Sequence, residues 1–98
     1  MALYLVTYDI DHTEEDDRYR LRKALEMGAW AQVAESSYVI QRQNSTAKGI
    51  YQALNQLLSS PAVALYVFQV AEDFCGSGRD QKVQNWVAHA RENYPHGI

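Results

Sequence analysis

The chain has a single cysteine, Cys75, among 98 residues. A lone cysteine closes no internal disulfide, and without several histidines beside it assembles no zinc site, so a disulfide-stapled fold and a zinc module are both excluded. Proline occurs twice and glycine five times, too few for a collagen-like or linker-rich chain. No apolar run approaches the roughly 18 to 20 residues of a membrane span. Met1-Ala2-Leu3 leads directly into a strand-like segment with no basic or signal-type apolar stretch before it. The expected location is therefore the cytoplasm, with no membrane partner. An excess of positive charge is missing too: 9 Lys+Arg stand against 12 Asp+Glu, a net charge of −3. That balance excludes a broad, strongly basic nucleic-acid surface while leaving room for a local basic patch.

What the chain does have is a globular composition, 47% apolar and 21% charged. A chain of this size buries a little over ~60% of its unfolded surface, enough for one core and one domain. Its charges are blocked. Asp9, Asp11, Glu14, Glu15, Asp16 and Asp17 are followed at once by Arg18, Arg20, Arg22 and Lys23. Acids in a first helical turn and bases further along complement the helix dipole, which accounts for the order of the two blocks.

Leu3 to Ile10 is nearly continuous in β-formers and reads as a central strand buried on both faces. Thr13-Glu14-Glu15-Asp16 approximates a capping box for a helix reaching about Met27, which Gly28 ends. Trp30 to Arg42, broken at Glu35-Ser36-Ser37, predicts a hairpin-like pair of strands. Asn44 or Ser45 can cap a second helix, whose apolar residues Ala47, Ile50, Tyr51, Leu54, Leu57 and Leu58 recur at helical spacing. Pro61 stops it and precedes a further strand, Val63 to Val70, apolar on both faces. The order βαββαβ predicts an α+β, ferredoxin-like sandwich over residues 1–73, with an antiparallel four-stranded sheet and two helices on one face. Residues 74–79 read as a flexible link. Residues 80–98 read as an extra C-terminal helix and tail whose Val83, Trp86 and Val87 form an interface with the chain's own sheet or with a second subunit.

Asp9 closes the first strand, and a loop turning after Ile10 would bring Asp9, Asp11 and His12 towards one point. Oxygen-rich groups of that kind suit Mg²⁺ or Mn²⁺; the plainer reading is a solvated capping loop. Arg18 and Arg22 stand about 40° apart on a helical wheel, so they share a face that Arg20 leaves. With Lys23 they are the candidate nucleic-acid-binding residues, or else they pair with Glu14, Glu15 and Glu26. Other chemistries find little support. Ser36 to Ile40 lacks the Lys/Arg-Gly-aromatic motif of an RNA-recognition domain, no glycine loop cradles phosphate, and no histidine has a context that pairs it with Ser36 or Ser37. The strand aromatics Tyr4, Tyr8, Tyr38, Tyr66 and Phe68 read as sheet formers.

The segments Tyr4 to Ile10, Arg18 to Leu25 with Gly28 behind it, Gln32-Val33 and Ser37 to Ile40 resemble, in that order, the CRISPR-associated protein two family and its stand-alone relatives. The likeness spans about residues 3 to 70. It implies a ferredoxin-like homodimer that is, in some members, a Mg²⁺-dependent endonuclease using an aspartate at the end of the first strand. In others it is a non-catalytic scaffold for the spacer integrase. Asp9 is the matching aspartate, and Arg18 and Arg22 fall at the family's basic helix positions. A homodimer would set two Asp9 carboxylates across its dyad, with RNA or DNA as the further partner. The competing class is a non-enzymatic interaction module that docks a partner through its sheet face or last helix.

Overall fold

The computed structural model describes residues 2–71, 75–78, 81, 84 and 85. Six elements follow in the expected order: β1 (Ala2–Asp9), α1 (Glu15–Leu25), β2 (Ala29–Ala34), β3 (Ser37–Arg42), α2 (Ala47–Asn55) and β4 (Ala64–Val70). The strands form one antiparallel sheet in the order β2-β3-β1-β4. This α+β arrangement is compatible with the ferredoxin-like one. Among the described residues no helix is long and apolar enough to cross a membrane. Val83, Trp86 and Val87, the expected interface, lie outside the described residues, as does most of the expected C-terminal helix.

Alternation along β1 decides where the core sits. Tyr4, Val6 and Tyr8 are buried on one face, where they meet Leu21 and Leu25 of α1, Leu54 of α2, and Tyr38 and Ile40 of β3. At about 1.5 to 3 kcal/mol for each large side chain withdrawn from water, this cluster is the main source of cohesion. The opposite face of β1 is only half-covered, so the expectation of a strand buried on both faces holds for one face alone. β4 is apolar on both faces, as read, but among the described residues it pairs with β1 only and is an edge strand, with Leu65 and Val67 turned to the core and Tyr66 and Phe68 left 58% and 52% exposed.

The caps differ from those the sequence suggests. Glu14 stands at the start of α1 without a side-chain cap bond, and Thr13 donates from N and Oγ1 to Asp11 Oδ1 at 3.0 and 2.9 Å, making a turn instead of a capping box. At α2 the cap is Thr46, whose Oγ1 accepts from Gly49 N at 3.0 Å. Neither Asn44, in a left-handed conformation at φ 53°, nor Ser45 takes that place. A threonine cap contributes about 1 kcal/mol.

The helix-bearing side is pinned by an acid at an apolar position. Asp17 precedes Leu21 and Leu25 at four-residue spacing on the buried stripe of α1 and is itself 1% exposed. Its carboxylate accepts from Ser59 N at 3.0 and 3.1 Å, Ser59 Oγ at 2.9 Å and Ser60 N at 3.2 Å, and pairs with Arg20. Arg20 Nε in turn donates to the Leu57 carbonyl at 2.8 Å. Residues 56–60 leave the helix to reach this carboxylate, which explains why α2 ends at Asn55, ahead of Pro61. The backbone N–H of Ser59 is the foremost cause that holds the Asp17 carboxyl down to about 2.

Candidate functional site

The cleft beside the end of β1 arises from three local facts. Helical periodicity brings Arg18 and Arg22 to one side of α1, the β2–β3 hairpin turns at Glu35-Ser36, and the Tyr8 N–H donates to the Ser36 carbonyl at 3.1 Å, closing that turn against β1. Between them lies a cleft of about 510 Å³ lined by Tyr8, Asp9, Ile10, Arg18, Arg22, Gln32, Glu35 and Ser36. Asp9, Arg18 and Arg22, singled out from the sequence, therefore share one site.

Arg18 is steadied by backbone rather than by a carboxylate. Its Nη2 donates to the Ile10 and Asp11 carbonyls at 3.4 and 3.5 Å. The expected pairing with Glu14 or Glu15 is not found among the described residues. Arg22 lies 4.0 Å from Glu26 Oε2, as expected. The same carboxylate accepts from the buried Tyr38 hydroxyl at 3.1 Å, and Tyr38, hydrogen-bonded to Arg22, is the foremost cause that raises the guanidinium's affinity for its proton. The Tyr38 ring stands between Tyr8 and Trp30, at 6.5 and 5.8 Å between centroids. Burial is the foremost cause that raises the pKa of both tyrosines, so each hydroxyl keeps its proton at neutral pH, and that of Tyr38 donates to Glu26.

Two predicted residues fall elsewhere. Lys23 does not line the cleft; its ammonium lies 5.6 Å from the centroid of the exposed Tyr19 ring. Asp11 is also absent from the lining, and its carboxylate, lowered in pKa first by the Thr13 backbone N–H, serves the turn before α1. Tyr8, Gln32, Glu35 and Ser36 were not legible as site residues. Only the pairing of Thr7 with Ser37 brings the hairpin turn to the end of β1, and such register spans thirty residues of sequence.

The lining balances two guanidiniums against two carboxylates, Asp9 and Glu35. Mg²⁺ binds through one or two carboxylates and keeps several waters. Those two oxygen donors fit such a water-rich site. They do not fit an all-protein cage, since among the described residues no three His, Cys, Asp or Glu stand together. A second cavity, about 550 Å³ between α1 and α2, is lined mainly by apolar groups such as Leu25, Ile40, Ile50 and Leu54, and holds no carboxylate. No protein-family model, curated protein or solved structure matches the chain.

Proposed function

We propose that the chain binds nucleic acid by holding a phosphate group in the cleft at the end of β1, and that Asp9 there serves metal-dependent phosphodiester cleavage. In this reading the protein is a ferredoxin-like homodimer similar to the CRISPR-associated protein two group. The observation that supports it is the meeting of Asp9, Arg18 and Arg22 in one cleft. Two guanidiniums complement phosphate oxygens in charge and in fork geometry. Arg18, braced by two carbonyls, and Arg22, braced by Glu26 and Tyr38, would bind and orient the strand. Asp9, with Glu35 nearby in the lining or a second Asp9 from another copy, would hold Mg²⁺. Bound there, the metal supplies charge stabilisation and an activated water. Asp9→Ala is expected to abolish Mg²⁺-dependent cleavage of single-stranded RNA or double-stranded DNA while leaving strand binding intact. Equal cleavage by the two proteins sinks the catalytic part of the proposal.

A second reading, a non-enzymatic interaction module, is favoured by the exposed, stacked Tyr66 and Phe68 on the edge strand, whose ring centroids lie 6.1 Å apart. Aromatic patches of that kind mark partner surfaces. The absence of any cleavage by the wild-type protein would favour it.

A further inference from the structure

Tyr8 is a polar side chain that the preceding reading leaves unused. It is 6% exposed, lines the cleft, and feels both Arg18 and Arg22 through space. Among the described residues its hydroxyl has no hydrogen-bond partner, although its ring is packed against Tyr38. The side chain is buried, yet the hydroxyl is not sealed from water: it opens onto the cleft beside two cations. An anionic oxygen satisfies all three groups at once. The cleft therefore gathers three donor groups, two of them charged.

The surroundings select among phosphates. An internal diester carries one negative charge and continues into a neighbouring phosphate on each side. A terminal phosphoryl group carries ≈ −1.5 to −2 at pH 7 and presents three strong acceptor oxygens. The carboxylates of Asp9 and Glu35 offset the two guanidiniums in charge, so donor count decides: two guanidiniums and a phenol suit three free oxygens better than the two a diester presents. The Arg18 side of the cleft adjoins the start of the acidic segment, since its guanidinium donates to the carbonyl of Asp11, whose carboxylate is exposed, and Asp9 and Glu35 line the cleft itself. A strand threading through would have to carry a phosphate past those acids. A strand end would not.

We infer that the cleft takes the terminal phosphoryl group of a single strand, with the Tyr8 hydroxyl as its third donor. This rests on the phosphate-binding reading above and narrows it. The test is fluorescence polarisation with one short, internally labelled single strand in three forms: 5′-phosphorylated, 3′-phosphorylated, and bearing hydroxyls at both ends. One phosphorylated form is expected to bind the unaltered protein about tenfold more tightly than the hydroxyl form, as an added charge-assisted contact implies. Inorganic phosphate should displace it. Tyr8→Phe should cut the difference to a few-fold with an unchanged melting temperature, because one of three donors is lost and that hydroxyl has no partner in the free protein among the described residues. Equal affinity for all three strands overturns this inference and leaves the internal-phosphate reading standing. Binding of none overturns both.

Discussion

Replacing Asp17 with alanine is expected to lower the melting temperature by on the order of 10 °C, the largest loss of any single substitution outside the apolar core. The change removes the acceptor for two backbone N–H groups and one hydroxyl, and frees Arg20 from its partner. The released donors are only part-buried and water can reclaim them, so the loss is the net contribution of several bonds to a charged acceptor, about 1.5 kcal/mol or more each. Asp17→Asn keeps the shape but turns an amide donor towards other donors, and should also destabilise. The pH dependence follows from the sign of the shift. The carboxyl sits at about 2 in the folded chain, below its ordinary 3.8. Its contribution is therefore complete above the unfolded value and fades as pH falls from about 4 towards 2. Acid unfolding of the wild type should be steep in that window, and that of Asp17→Asn shallower. Thermal melts followed by circular dichroism between pH 7 and pH 2 measure both effects.

The second large effect concerns binding. Arg18→Ala combined with Arg22→Ala should weaken the binding of a single-stranded oligonucleotide about 100-fold, since each charge-assisted contact contributes about 1.5 kcal/mol or more. Stability should fall only slightly, because neither arginine is part of the buried cluster: Arg22 is exposed, and half-buried Arg18 is held by two long bonds to carbonyls. Lys23→Ala is the internal control. Its ammonium is engaged by Tyr19 outside the cleft, so the affinity should be nearly that of wild type. The dependence of log affinity on log salt should have a slope of only about −1 to −2. A steeper slope would mean many more phosphate contacts than this cleft offers. Polarisation titrations at several ionic strengths separate these outcomes.

Much of the architecture was legible because local pattern and tertiary fate agree. The apolar run of β1, the helical spacing of Ala47, Ile50, Tyr51 and Leu54, and the break at Glu35-Ser36 each correspond to an observed element, while Leu57 and Leu58 fall beyond the helix end. Strand order was not written in any of those patterns. β4 reads as apolar on both faces, yet among the described residues it lies at the sheet edge with Tyr66 and Phe68 exposed. Asp17 shows the same limit. Read alone it is one more acid in a helical first turn, and only the return of Ser59 and Ser60 across the fold makes it a buried anchor. In the cleft, the shared face of Arg18 and Arg22 follows from helical geometry, whereas Tyr8, Gln32, Glu35 and Ser36 join them through strand register. Arg20, as its angular offset predicts, turns to Asp17 instead.

The most direct test of the cleft as the binding site is a nuclear magnetic resonance titration of the ¹⁵N-labelled protein with a phosphorylated single strand. The backbone amides of Asp9, Ile10, Gln32, Glu35 and Ser36 and the Nε signals of Arg18 and Arg22 should shift together and saturate. Those of Tyr66 and Phe68 should stay in place. Shifts confined to the β4 face around Tyr66 and Phe68, with the arginine signals unmoved, would contradict the assignment.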